Sequence, residues 1–493
     1  MGSTGPTPRN DGSSLSTSDR QALADSLQGN LIVKGETSRE EYDEVIKRWN
    51  EVYIKQANLV ALVESDADVS QCVKFAAKHN LDVAIRGGGH SYHGASSTEG
   101  MVIDLRKLNR VTVDKSAKRV TGGGGCIAMD LEKAAEAEGL GVLFGAVNET
   151  GIGGLTTGGG IGWLTGEHGL AIDNLLSTRM VLASGEVVNA STNENTDLFW
   201  AIRGGGSNFG VVTEFEFRAF EQGPVFFQML SYPMEKLKEC VELLRRLRPE
   251  VVEPGQGKMQ PMFAMIAPPS LPHTPAFMIF YDGPEEEAKK IAKPLYDLEP
   301  INTMGGMMPY TAVTGIFKMM EMKGFDRWAS SSLHLTYPID TEVLLAGIDK
   351  FLERVKHHGD AFKHSSFIVD LRDYRKVASV PTDTTAYANR YDAAVVVPDF
   401  RWDDAKLDQT ARRETTGIAA FMKEMLKDKD KRTRVQHDGE REFESFYPNV
   451  SSGTEKIESV YGSNLPRLRD LKAKYDPDMM WNKWFSLTVY MSG

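Results

Sequence analysis

Short apolar runs alternate with amphipathic stretches through the first half of the chain. Residues 59–63 read as a buried strand. Ser65 then offers an N-cap, and Val69, Cys72, Val73 and Ala76 share one helical face that His79 and Asn80 close. A second apolar run, 81–85, completes a strand–helix–strand opening. The pattern predicts further strands at 101–105, 111–113, 119–121 and 211–217, a helix at 130–138, and a hairpin over 180–189 turning on Ser184 and Gly185. From Gly223 the texture changes. Strands are expected at 225–232, 259–266, 276–281, 332–337, 367–371 and 393–397. Between them fit a helix with Leu237, Cys240, Val241 and Leu244 on one face, and others at 284–298, 341–357 and 404–426. This half reads as a sheet with helices on one side. Its methionines, grouped at 259–265 and 304–322, suit core filling or a pliable wall for an apolar ligand.

Glycine interrupts the pattern. Gly87, Gly88 and Gly89 follow the 81–85 strand, bracketed by Arg86 and by His90 and Ser91. Backbone without side chains can converge its N–H groups on anionic oxygens, usually phosphate. The Gly-Lys-Ser/Thr ending of a P-loop is absent, and no dinucleotide fingerprint with a downstream acid follows. Further clusters stand at 122–125, at 151–162 and at 204–210. The third is the richest, with Gly151, Gly154, Gly158, Gly159 and Gly162 among its members, and suits a surface that something flat approaches closely.

Composition narrows the partners. The 493 residues carry a net charge of −11, which argues against nucleic acid and anionic membrane, and no stretch is long enough to span a bilayer. Three cysteines, Cys72, Cys126 and Cys240, are too scattered for a disulfide framework or a zinc site, and no metal is expected. Residues 1–28 are polar, lack the apolar core of a signal peptide and read as a flexible tail; a cytoplasmic location is the expectation.

The four clusters in this order resemble the flavin oxidases of the vanillyl-alcohol oxidase superfamily, in particular the berberine-bridge-enzyme-like and 6-hydroxy-D-nicotine-oxidase-like branch. The resemblance is carried by Arg86 to Ser91, by the Gly-Gly-Gly-Ile-Gly run at 158–162, by residues 197–213 and by the tail 461–477. It runs from about residue 54 to the end. It implies an α+β two-domain flavoprotein: a discontinuous PCMH-type FAD-binding domain, 29–222 plus 441–493, around a substrate domain at 223–440.

The resemblance also implies roles. Arg86, Gly87, Gly88, Gly89, His90, Ser91, Gly151, Gly154, Gly158, Gly159, Gly162, Val212 and Asn449 would hold FAD, with His90 bonded covalently to the flavin. Doubly linked relatives add a cysteine where Val147 stands, so a single link through His90 is expected; Cys126 lies upstream and reads as structural. Thr150, before Gly151, resembles the residue that admits O2. Tyr447 and Asn449 match the family's Tyr-x-Asn element, with Tyr447 facing substrate, and Tyr92 matches a position beside the flavin. His93 is extra and reads as a loop residue.

Some positions depart from the family. The strand at 393–398, where many relatives carry Glu or Gln, holds nothing ionisable. A family tyrosine is Ile161 here, and a histidine is Asn389. Tyr447 would serve as base only if a cation depressed its pKa, with Arg372 or Arg390 as candidates. The expected activity is an FAD-dependent oxidase that passes hydride from a small or medium hydrophobic alcohol, phenol or amine to the flavin, with O2 reoxidising it to give H2O2. A specialised-metabolism role and a monomer or homodimer go with that expectation. An oligosaccharide oxidase, or a non-redox cyclase or isomerase on a structural flavin, are the alternatives.

Overall fold

Strand Ala393–Trp402 shows how the second half is built. All ten residues are buried, and successive side chains enter two different cores. Ala394, Val396, Phe400 and Trp402 pack into one cluster, Val395 and Val397 into another. A strand covered on both faces needs no polar alternation, which is why this segment reads as a continuous apolar run. The computed structural model of the chain describes residues 9–267, 272–319, 326–428, 446–451 and 453–487.

This strand belongs to an eight-stranded antiparallel sheet. The order is Asn302–Met308, Val225–Ser231, Thr274–Tyr281, Met259–Ile266, Ser366–Asp370, Ala393–Trp402 and Arg327–Ser330, with Leu333–Thr336 also paired to Ala393–Trp402. Helices Leu237–Leu247, Thr341–His358 and Asp408–Asp428 cover one face, burying Cys240, Leu244, Phe351 and Met422 against Phe263, Phe277 and Phe400. The other face receives Trp163, Leu164, Leu170 and Tyr447 from the first and last parts of the chain. That face is where the two domains meet.

The first domain has two larger sheets besides the short pairing of Leu140–Gly141 with Phe220–Glu221. One pairs Asn30–Val33, Leu59–Leu62, Met101–Asp104 and Val83–Arg86, the last three mutually parallel around helix Asp66–Lys78. Ser65 caps that helix by accepting from Asp68 N–H, and Val69, Cys72, Val73 and Ala76 are buried. The other is a five-stranded antiparallel sheet of Val111–Asp114, Arg119–Gly123, Val211–Arg218, Leu175–Val181 and Val187–Ser191. The C-terminal segment closes this domain. Helix Leu465–Tyr475 places Lys472 in the interior, where Nζ donates to the carbonyls of Asn208 at 2.7 Å and Trp481 at 2.5 Å and to Asp476 at 2.7 Å.

Several expectations need correction. The segment read as a tail to residue 28 contains helix Thr17–Ser26, capped by Ser16, with Leu15 and Leu23 buried against the first sheet's core; residues 1–8 lie outside the described residues. Two apolar side chains in a polar stretch suffice to dock it. The helix expected over 284–298 breaks into Glu285–Ile291 and Lys293–Tyr296, because Pro294 cannot donate to the preceding turn. Strand Asn302–Met308 and helix Tyr310–Met319 were not foreseen. The strand lies at the sheet edge with Met304 and Met307 exposed, so it lacks the buried alternation that marks a strand. Met259 and Met265 fill the helix-side core, Met262 points to the other face, and Met320 and Met322 lie outside the described residues.

Candidate active site

Strand Val83–Arg86 delivers the first glycine loop. Arg86 is anchored by Nη1 donating to Asp104 at 2.8 Å, and Arg106 holds the same carboxylate from the other side. Beyond it, Gly88 and Gly151 meet backbone to backbone. A Cβ on Gly88 would stand 2.4 Å from Gly151 N, and one on Gly151 would stand 2.3 Å from Gly88 N. Ser91 Oγ braces the loop by accepting from Ala95 N–H at 2.9 Å. Thr150 precedes the contact and accepts from Ala128 N–H. The second cluster lines up behind: a Cβ on Gly87 would lie 3.1 Å from the Gly124 carbonyl, and one on Gly124 2.3 Å from the carbonyl of Val212. Three of the four clusters therefore converge.

His90 lies half-buried at this convergence. Its ring stacks on Trp49, with centroids 4.9 Å apart and planes 19° from parallel. Nε2 stands 3.9 Å from Glu149 Oε1. Burial, helped by the Arg86 charge, pushes its pKa down to about 4, so the imidazole is neutral at pH 7. Trp49 in turn stacks on Trp328 at 4.7 Å, and the Arg401 guanidinium sits 4.1 Å above Trp328. A stack of His90, Trp49, Trp328 and Arg401 thus crosses from the first domain into the large sheet. Trp49, Trp328 and Arg401 carry no motif and were missed in the sequence.

The third cluster departs from an open glycine surface. Its first half is helix Ile152–Thr157, entered at Gly151. Gly154 has open space where a Cβ would project, whereas Gly162 abuts the Phe144 carbonyl at 2.3 Å, so that glycine answers a packing demand. Gly158 makes room for Asn449, whose Oδ1 would lie 2.0 Å from a Cβ there, and Gly159, at φ +118°, makes room for the Tyr387 ring. Asn449 Nδ2 donates to the Leu155 carbonyl and to Tyr447 Oη, both at 3.0 Å. Ile161 N–H also donates to Tyr447 Oη, at 3.2 Å.

Burial raises the Tyr447 pKa, while Asn449, the Ile161 amide and the Arg372 charge oppose it. Arg372 is therefore the cation that bears on Tyr447. Arg390 is engaged elsewhere, donating to Asp173 at 3.0 and 2.7 Å and to Thr385 at 2.9 Å. Tyr92 stands 5.1 Å from the Trp49 ring, with Ser330 as a hydrogen-bond partner, Asp399 close by and Tyr447 near enough to bear on its charge. Burial raises the pKa of Tyr92 and lifts Asp399 to about 7. His93, read as a loop residue, is enclosed between Trp484 and Phe485.

A narrow cleft adjoins the Gly158–Gly162 run. Its aliphatic wall is Ile161, Leu170, Val377, Ala393 and Val395; Tyr374, Tyr387 and Tyr391 supply the aromatic wall, with His334 and Asn389 as the other polar groups. Tyr447 packs against the same apolar cluster as Tyr374, Tyr387 and Val395. His334 was missed because a lone histidine between two leucines resembles ordinary strand alternation.

The residues present fit FAD. Arg86 Nε, both ring nitrogens of His93, Thr156 Oγ1 and Trp484 Nε1 are buried without a hydrogen-bond partner among the described residues. They lie on the glycine-rich segments and the C-terminal segment that closes over them, where a polar cofactor would use them. Comparison with known proteins agrees. A family described as FAD binding domain matches residues 57–191, and one described as berberine and berberine like matches 446–484. The FAD-linked oxidoreductase pgmH of Aspergillus terreus is 52% identical over 97% of this chain and 98% of its own length. The chain belongs to the berberine-bridge-enzyme-like FAD-linked oxidoreductases.

A second member, FAD-linked oxidoreductase hasG of Aspergillus fumigatus, is 30% identical over 94% of this chain and 98% of its own. The fold of this oxidoreductase matches 6-hydroxy-D-nicotine oxidase from Arthrobacter nicotinovorans, with a TM-score of 0.80, 23% identity, and coverage of 94% and 98%. The α+β two-domain architecture expected from the sequence is thereby established, with the large antiparallel sheet in the substrate domain.

Proposed function

We propose that this oxidoreductase is an oxidase carrying FAD on a single covalent bond to His90, acting on a small or medium hydrophobic substrate in specialised metabolism. The observation that supports it most directly is His90 itself: a neutral imidazole stacked on Trp49, beside the loop closed by Gly88 and Gly151. A neutral ring nitrogen has a lone pair free to attack an electrophilic carbon. Val147 offers no thiol for a second bond, and Cys126 is buried with its pKa raised by desolvation. When bound, FAD supplies a hydride acceptor that O2 can restore with release of H2O2.

The chain's own groups would hold, orient and enclose. Arg86 and the convergent glycine backbones would form the cradle, and Thr150, next to Gly151, would take the part of the residue that admits O2. Asn449 and the Ile161 amide fix the phenolic oxygen of Tyr447 beside the Gly158–Gly162 run. The apolar walls exclude water and favour a hydrophobic guest over an oligosaccharide. Acid precipitation tests the link: a yellow pellet from the native protein and a colourless one from His90→Ala are expected, and colour left in the native supernatant would overturn it. Peroxide release across a panel of alcohols, phenols and amines tests the oxidase assignment, which fails if anaerobic substrate bleaches the flavin and air does not restore it.

A further inference from the structure

Ser330 and Asp399 are direct partners in the ladder between Arg327–Ser330 and Ala393–Trp402, and the Ser330 hydroxyl donates to Asp399 Oδ1. Val395 and Val397 face the first domain, and alternation along the strand turns Asp399 the same way. Asp399 is buried, and a buried carboxylate needs a partner. Asp104, Asp173 and Asp373 have guanidinium partners, in Arg86, Arg390 and Arg375. Asp399 receives its hydrogen bond from a hydroxyl instead. Arg401, the cation on the same strand, places its guanidinium 4.1 Å from the centre of the Trp328 ring.

The same serine is the hydrogen-bond partner of Tyr92. Tyr92 follows His90 by two residues, and both rings rest against Trp49, at 5.1 and 4.9 Å. A hydroxyl can accept one hydrogen bond while it donates another. Ser330 therefore joins a phenol beside His90 to a buried carboxylate of the substrate domain. Tyr447 differs. Its oxygen is met by Asn449 Nδ2 and by the amides of Ile161 and Gly160, all of them donors. They hold the oxygen in place and give its proton no outlet. The partner of Tyr92 gives one.

Resting on the oxidase reading above, we propose that Tyr92 takes the hydroxyl proton of an alcohol substrate and relays it through Ser330 to Asp399. The substrate O–H gives its proton to Tyr92 Oη while Tyr92 passes its own to Ser330 Oγ, and the Ser330 proton moves to Asp399 Oδ1. At each of the two protein hydroxyls one O–H bond breaks and one forms, so both end as they began and Asp399 ends neutral. The substrate C–H leaves as hydride to the flavin, which completes a two-electron oxidation of alcohol to carbonyl. Tyr92 is the catalytic residue here; Ser330 and Asp399 are positioning residues that act through it. Burial lifts Asp399 to about 7, which suits a group that must gain and release a proton near neutrality. The charged and titratable groups facing it are Arg401 and Tyr92; its ladder partners Ser330 and Ser366 carry no charge.

The test is anaerobic bleaching of the holoenzyme flavin by benzyl, cinnamyl and geranyl alcohols, followed against pH with the fastest of them. Wild-type bleaching should quicken as Asp399 ionises and then level off. Asp399→Asn should be about a hundredfold slower on that plateau and lose the inflection. Ser330→Ala should be slowed similarly, and Ser330→Thr, which keeps a hydroxyl, should recover most of the rate. Asp104 and Glu167 are also lifted to about 7, so the difference between wild type and Asp399→Asn is what is read. Infrared spectra without substrate give a second readout: one carboxyl band that titrates at about 7 should vanish in Asp399→Asn. A purely structural contact would lower the melting temperature of the variants and leave the inflection in place. An unchanged profile or carboxyl band in Asp399→Asn, or full rate in Ser330→Ala, overturns the relay. Should Asp399→Asn fail to fold, the two serine variants decide. No bleaching of the wild type by any of the alcohols also overturns it, while peroxide release from amines would leave the oxidase reading standing.

Discussion

Gly88 and Gly151 touch through their backbones, each occupying the space in which the other's side chain would stand. Neither contact atom belongs to a flexible side chain, so an added methyl must displace one of the two loops. Gly88→Ala or Gly151→Ala should cost about 1–3 kcal/mol, and the moved loop should lower flavin content. Denaturant melts and the ratio of visible to ultraviolet absorbance measure both effects. Full flavin loading in either variant would mean that the loops separate when the cofactor binds.

Tyr447 Oη accepts from both the Ile161 amide and Asn449 Nδ2. In Tyr447→Phe those two donors lose their acceptor in a buried setting. A destabilisation of about 1–3 kcal/mol is expected, and any loss of turnover must be judged against it. Asn449→Ala should free the hydroxyl and slow substrate oxidation with a smaller stability change. Stopped-flow reduction set beside melting data separates the two roles.

Asp173 is the counter-ion of Arg390, whose guanidinium is buried. Asp173→Ala leaves that charge uncompensated and should destabilise the protein by about 3–5 kcal/mol. Chemical denaturation reads the difference. A near-neutral result would show that Thr385 and water suffice for Arg390.

His93 supplies a pH signature. Burial lowers its pKa to about 4, against an ordinary value of 6.5. Between those values the unfolded chain takes up a proton that the folded protein refuses, so this residue's contribution to stability falls as pH drops from 6.5 towards 4. His93→Phe removes the effect. Relative to the wild type, the variant should gain about 2 kcal/mol on going from pH 7.5 to pH 5. Melts at both pH values test it, and a pH-independent difference would mean that the ring is protonated in the native state.

The stack of His90, Trp49, Trp328 and Arg401 ties the domains together. Trp328→Ala removes one aromatic pair and one cation–π contact, a loss of about 1–3 kcal/mol. It should also reduce covalent flavin incorporation, because the ring behind His90 loses its support. Pellet colour after acid precipitation reports this directly.

Legibility followed the physical origin of each feature. Glycine-rich motifs carried the cofactor half, since close backbone approach leaves few substitutes at positions such as Gly88 and Gly151. Strands buried on both faces were found from their apolar runs, as with Ala393–Trp402. Edge strand Asn302–Met308 was not, because its exposed methionines erase the pattern. The site residues contributed by long-range packing left no local trace: Trp49 reaches Trp328 across the domain boundary, and Trp328 in turn carries the Arg401 guanidinium. Arg372 and Arg390 could not be ranked until the position of Asp173 was known.

The buried ammonium of Lys472 gathers carbonyls from residues as far apart as Asn208 and Trp481. During synthesis, the helix that carries it emerges from the ribosome only after the whole intervening sheet. The flavin half therefore stays unsealed until residues 465–481 have been made and docked onto the segment around Asn208.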